Sequence, residues 1–177
     1  VRYAGVTLLD CSFINNTAVA GGGAARMHTA NAGFFSGCLF EGNAADVGGG
    51  ARLVSNIALI TFELCRFIDN TSRTGGGIAS HDSNVEITTC SFEGNVAEVD
   101  VGGGGIRCSG TLGDMYFSNS LFCANVPEHI NGCDDGFDNV FSDECIDCNE
   151  NGSTDFWDIY DGTSQDCNSN DDPDECE

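Results

Sequence analysis

The sequence predicts an all-β fold: a parallel β-helix of about five rungs of ~27 residues, followed by a small calcium-loop tail. Three observations lead there. The phrase Cys-x-Phe-x-x-Asn recurs at Cys11, Cys38, Cys65 and Cys90, with Ser120 in the Cys place of a fifth copy. A glycine cluster follows each of the first four copies, starting at Gly21, Gly48, Gly75 and Gly102. The charge also changes in kind near residue 128: 17 of the 28 acidic residues lie from Glu128 onward, while all six arginines lie at or before Arg107.

Self-similarity at a period of 20–50 residues marks a repeat architecture before any local propensity is weighed. Alignment on the Cys exposes further columns. Three residues before it stand Leu8, Phe35, Phe62, Ile87 and Phe117; two after it, Phe13, Phe40, Phe67, Phe92 and Phe122; five after it, Asn16, Asn43, Asn70, Asn95 and Asn125. Apolar residues alternate inside each short segment, as in strands with one buried face. The step of three before the Cys breaks that alternation, so a bend there lets both flanking strands face inward. Rungs at the ordinary strand spacing of ~4.8 Å stack to ~24 Å and turn each column into a ladder. Phe then stacks on Phe, and each Asn amide bonds to its neighbours at a turn. Glycines supply the positive-φ turns and close backbone approach. A helical solenoid fails as the competitor, because glycine triplets and β-branched or aromatic alternation are poor helix material.

Stacked Cys11, Cys38, Cys65 and Cys90 have Cα atoms close enough to bridge. Their side chains run parallel, however, so they read as buried thiols acting as small apolar residues. No column places two carboxylates on adjacent rungs, as a glycosidase pair needs. Glu63 and Glu86 fall in different columns, and Glu41 and Glu93 share one two rungs apart. Arg52 and Arg107, facing outward, have no acidic column neighbours. His28 and His81 also lie two rungs apart and read as surface turn residues. No catalytic residue and no organic cofactor is expected. The glycine triplets are not phosphate loops, since no Lys follows them.

These repeats, CSFINNTAVAGGGA, CLFEGNAADVGGGA, CRFIDNTSRTGGGI and CSFEGNVAEVDVGGGGI, resemble the right-handed parallel β-helix repeats of large bacterial surface and secreted proteins. Among these are the repeats of chlamydial polymorphic outer membrane proteins. The resemblance covers residues 5 to about 130. It implies a right-handed solenoid on a fold that hosts both adhesins and polysaccharide-cleaving enzymes.

The β-helix is expected over 1–132, a connector over 133–146, and tandem calcium loops over 147–177. In DCNENGSTDFWD, Asp147, Asn149, Asn151, Ser153, Asp155 and Asp158 take positions 1, 3, 5, 7, 9 and 12 of an EF-hand-type loop, with Gly152 at position 6. Ca2+ wants six to eight hard oxygens. A loop curled about the ion turns every second side chain inward, position 6 needs a sharp turn, and position 7 gives its backbone carbonyl. A second loop starts 19 residues later: Asp166, Asn168, Asn170, Asp172, Asp174 and Glu177 take the same positions, and Asp171 replaces the glycine. The alternative is a disordered acidic tail.

The tail looks like the duplicated dockerin-like calcium repeats that end secreted proteins of planctomycete-type bacteria, over residues 145 to 177. Phe156 and Trp157 depart from that pattern. The segment 129–145 looks like the connector in such proteins. Cys123, Cys133, Cys145, Cys148, Cys167 and Cys176 are expected to form local disulfides, with the pairing open among 15 connectivities.

A net charge of −22 without a single lysine argues against nucleic acid and against anionic membrane surfaces. No apolar run reaches membrane-spanning length. Eleven cysteines favour an extracytoplasmic setting. The first residues already read like the middle of a repeat, so the chain is expected to be a mature fragment of something longer. The expected function is a non-catalytic secreted or cell-surface bacterial β-helix, structural or adhesive, with a calcium-stabilised anchoring or docking module. Its partner would be a cell-surface or extracellular protein or a polysaccharide. The competing expectation is a fragment of a carbohydrate-active enzyme, a polysaccharide lyase or glycoside hydrolase, with its catalytic rungs upstream.

Overall fold

A computed structural model describes residues 5–29, 32–100, 102–134, 136–166 and 173. It divides into two compact units, Val1–Asp143 and Glu144–Glu177.

The first unit is the solenoid. Its first rung holds β1 (Val6–Leu9), β2 (Ser12–Ile14), β3 (Thr17–Ala18) and β4 (Ala25–His28). The second holds β5 (Gly33–Ser36), β6 (Leu39–Glu41), β7 (Ala44–Val47) and β8 (Ala51–Val54). The third holds β9 (Ile60–Glu63), β10 (Arg66–Ile68), β11 (Thr71–Thr74) and β12 (Ile78–His81). The fourth holds β13 (Val85–Thr88), β14 (Ser91–Glu93), β15 (Val96–Ala97) and β16 (Ile106–Ser109). The fifth holds β17 (Met115–Ser118), β18 (Leu121–Cys123) and β19 (Ile130–Asn131), and β20 (Val140–Ser142) adds one more strand. Equivalent strands stack into four parallel sheets, β1-β5-β9-β13-β17, β2-β6-β10-β14-β18-β20, β3-β7-β11-β15 and β4-β8-β12-β16-β19.

The expected bend before each Cys is a single left-handed residue. Asp10, Gly37, Leu64, Thr89 and Asn119 have φ of 50°, 62°, 55°, 50° and 50°. One residue there reverses the inward phase, so Phe35 and Phe40, or Phe62 and Phe67, all point into the core. Leucine and threonine pay a steric cost in this region that glycine avoids. The glycine clusters turn a second corner. A Cβ on Gly76 would lie 2.5 Å from the Gly104 carbonyl oxygen and 2.7 Å from the Val96 backbone nitrogen and oxygen, so only glycine fits between these coils.

The aromatic ladder runs Phe13, Phe40, Phe67, Phe92, Phe122, with ring centroids 5.0, 4.6, 4.7 and 4.8 Å apart. Phe141 continues it at 5.1 Å. A stretch expected to be connector therefore holds β20, because another phenylalanine extends the stack. The Asn column is a second ladder. Asn43 Nδ2 donates to Asn70 Oδ1, Asn70 Nδ2 to Asn95 Oδ1 and Asn95 Nδ2 to Asn125 Oδ1, at 3.0, 2.9 and 2.9 Å. Cys11, Cys38, Cys65 and Cys90 are free thiols, and the last three are buried. The Cys65 amide donates to Cys90 Sγ at 3.3 Å. Ser120 takes the same role in the next rung, where its Oγ accepts from the Cys90 amide at 3.1 Å. Burial and the neighbouring thiol push the Cys90 thiol pKa well up, which keeps it in the neutral form that suits an apolar interior.

Candidate metal centre

The second unit builds its site around a loop that leads into one short helix, α1 (Asp155–Asp161), with Thr154 as its N-cap. Asp147 starts the loop. Its carboxylate accepts from the amides of Asn151 and Gly152 at 3.1 and 2.8 Å. Asn149 Oδ1 accepts from the Asn151 amide at 3.1 Å, and Asn151 Oδ1 from the Ser153 amide at 2.7 Å. These short-range bonds curl the backbone in the manner of Asx turns. Gly152 sits at φ 89° with nothing within 4 Å of a Cβ position, so it is required by its torsion angle and not by crowding.

The helix then returns two carboxylates to the loop. Asp155 Oδ1 accepts from the Cys148 amide at 3.0 Å. Asp158 Oδ2 accepts from Asn149 Nδ2 and Asn151 Nδ2 at 3.0 and 2.8 Å. Asp155 and Asp158 are only 5% and 2% exposed. Carboxylate oxygens of Asp147, Asp155 and Asp158 all lie within 4.8 Å of one another. Gly162, in the left-handed conformation, caps α1, and the Thr163 and Ser164 amides donate to the Asp158 carbonyl.

The donor set fits a hard cation. Three carboxylates crowd together, two of them buried, in a unit whose sequence contains no Lys, Arg or His. At an effective dielectric of about 20, each pair of such charges repels by about 3 kcal/mol. Asp147, Asn149, Asn151, Asp155 and Asp158 would hold Ca2+ through side-chain oxygens, and Ser153 occupies the place from which such loops use the backbone carbonyl. Of the expected ligands of the second loop only Asp166 is among the described residues. Asn168, Asn170, Asp172, Asp174 and Glu177 lie outside the described residues, as does Asp171.

The comparisons with known proteins bear on the first unit. A family model described as the right-handed β-helix region matches residues 1–122. The chain belongs to the right-handed β-helix family. No curated protein and no solved structure matches it.

On this β-helix, no described strand column carries carboxylates on adjacent rungs. Thr61 and Thr88 are the neighbours of Glu86 and Glu63, and Ile68 separates Glu41 from Glu93. Glu93 is engaged by Arg66 at 3.3 Å and by the Ser91 hydroxyl. His28 and His81 share a column with Val54 between them, and His81 lies 3.3 Å from Asp82. A polar cleft is lined in part by Ser80, Asp82, Asp114, Tyr116 and Asp134. Loop amides of Leu112 and Thr111 hold the Asp82 carboxyl below its ordinary pKa, which gives Asp82 a loop-fastening role.

One cysteine expectation is corrected. Cys133 bonds to Cys108, a residue left out of the expected local set. Arg107 pairs with Asn131 across the sheet, so Cys108 and Cys133 meet at the same corner of consecutive rungs. Their separation of 25 residues is one rung, the signal that could have found the pair. Cys123, Cys145 and Cys148 are also disulfide-bonded. Cys167 and Cys176 lie outside the described residues.

Proposed function

We propose that this β-helix is a non-catalytic structural or adhesive part of a secreted or cell-surface protein. Its C-terminal module is stiffened by calcium and serves anchoring or docking. The observation that carries the reading is the convergence of Asp147, Asp155 and Asp158 within 4.8 Å in a unit without a basic side chain. Calcium relieves their mutual repulsion and closes the loop onto α1, so ion binding contributes to folding of the module. Disulfides at Cys145 and Cys148 beside the loop support an oxidising compartment.

Trp157 lies next to Asp158 on α1, is 6% exposed, and packs edge-on against Phe156 and Tyr160. Calcium titration of the purified chain, followed by Trp157 fluorescence, is expected to saturate with Kd of about 10⁻⁴–10⁻³ M and to reverse with chelator. Asp158→Asn should remove most of the signal. A flat titration, together with protease resistance of the tail that ignores calcium, would refute the reading.

Glycan cleavage is the second reading, favoured by the carboxylate-lined cleft at Asp82, Asp114 and Asp134. Release of new reducing ends or unsaturated sugars from an acidic polysaccharide would support it and overturn the non-catalytic reading.

A further inference from the structure

Two places in the sequence set an asparagine directly before a glycine, Asn131–Gly132 and Asn151–Gly152. Such a step carries a latent reaction. With no Cβ in the way, the glycine nitrogen is able to approach the side-chain carbonyl carbon of the asparagine. Ring closure also needs the side chain folded over the following peptide unit, a polarised carbonyl and open space. The fold supplies these at one step and withholds them at the other.

Asn131 ends β19 and pairs with Arg107 of β16. Its Nδ2 donates to Glu128 Oε1, which ties the side chain to a residue before it in the chain. A Cβ on Gly132 would stand 2.5 Å from the Cys108 carbonyl oxygen, and the next residue, Cys133, is bonded to Cys108. Ring closure there requires β19 to leave its sheet.

Asn151 and Gly152 are both exposed. Asn151 Oδ1 accepts from the Ser153 amide at 2.7 Å, an Asx turn that folds the side chain over the Gly152 peptide unit. The same donor polarises the carbonyl and is placed to stabilise the oxyanion that attack creates. Gly152 donates its amide proton to Asp147 Oδ2 at 2.8 Å, so a carboxylate stands on the proton that has to leave. Asn151 Nδ2, the leaving nitrogen, donates to Asp158 Oδ2 at 2.8 Å, which holds the side chain in this pose. Nothing lies within 4 Å of a Cβ position on Gly152. Reacting groups held together in this way lose little entropy on the way to the ring.

We propose that Asn151 is a site of spontaneous deamidation, selected by the fold over Asn131, and that calcium held in the loop suppresses the reaction. The Gly152 nitrogen bonds to Asn151 Cγ, the Cγ–Nδ2 bond breaks, and ammonia leaves with the proton that Gly152 gives up. Water then opens the five-membered imide at either carbonyl and leaves aspartate or isoaspartate. One water is consumed, one ammonia is released, and nothing is oxidised or reduced. Isoaspartate carries the main chain through Cβ, which lengthens the loop and breaks its alternation of inward side chains. The site stands on local geometry alone. Its suppression rests on the calcium reading above, because Asp147 and Asn151 Oδ1 are among the expected ligands.

The test incubates the full chain at neutral pH and physiological temperature in chelator, and follows the peptides carrying Asn131 and Asn151 by mass spectrometry. Asn151 is expected to convert at least on the order of tenfold faster than Asn131, the ratio imposed by a cost of about 1.4 kcal/mol to open β19. In urea with the disulfides reduced, the two should convert at similar rates. No conversion at Asn151, or the same ratio of rates in native and unfolded chains, would overturn the site. Calcium that saturates the Trp157 signal should slow Asn151 several-fold and leave Asn131 as it was. An unchanged Asn151 rate in saturating calcium would overturn the suppression and leave the site standing. A flat Trp157 titration would refute the calcium reading and the suppression with it, while the result in chelator still decides the site.

Discussion

Asn70→Ala tests the internal logic of the solenoid. Asn70 is fully buried and its amide serves three rungs. Its Oδ1 accepts from the Asn43 backbone amide and from Asn43 Nδ2, both at 3.0 Å. Its Nδ2 donates to the Phe40 carbonyl at 2.8 Å and to Asn95 Oδ1 at 2.9 Å. Alanine removes all four bonds. Asn43 Nδ2 keeps the Phe13 carbonyl and Asn95 Oδ1 keeps the Asn70 amide, but the Asn43 amide is orphaned out of reach of water. At about 1 kcal/mol net for each of three bonds, with about 1–3 kcal/mol for the stranded Asn43 amide, the expected loss is about 4–6 kcal/mol. Asn16→Ala is the control. Asn16 is exposed and its side chain makes one bond, to Asn43 Oδ1, so under about 1 kcal/mol is expected. Urea unfolding followed by circular dichroism reads both. Equal losses for the two variants, or a loss below about 1 kcal/mol for Asn70→Ala, would refute the ladder as a source of stability.

Three further outcomes are expected. Gly76→Ala forces a Cβ against three backbone atoms of neighbouring coils and should cost several kcal/mol or prevent folding, measured by denaturation or soluble yield. Cys108→Ser with Cys133→Ser opens a 25-residue loop and should cost about 2–4 kcal/mol in thermal unfolding, with hydrogen exchange rising first around β19. Burial lowers the His129 pKa below its ordinary 6.5, and Asp143 only partly opposes this. The unfolded chain then binds the proton more readily, so this contribution is present above pH 6.5 and is lost as pH falls from there through the lower folded value. An NMR titration of the His129 ring that ends above 6.5 would contradict it.

Much of the fold was legible because a period makes neighbours out of residues about 27 positions apart. The Phe, Asn and Cys columns could be read down the sequence, and the broken alternation before each Cys located the left-handed corner that Leu64 and Thr89 occupy against their preference. Alternate oxygens with a glycine at the turn form a local pattern that singled out Asp147, Asp155 and Asp158, which the fold brings within 4.8 Å of one another. What the sequence hid depends on rung length. Ile78 pairs with Ile106 at a separation of 28, Ile60 with Val85 at 25 and Val85 with Met115 at 30, because insertions at the corners lengthen one side of a coil and not another. Only the hydrogen-bonded register shows that Arg26, Arg52 and Arg107 share one outward column, that Cys108 meets Cys133, and that Phe141 returns to the aromatic stack. Composition and period determined that a solenoid forms and what lines its core, where burial punishes every error. The tertiary structure decided which charges share a face, because solvent leaves outward positions free to vary and only backbone pairing brings them together.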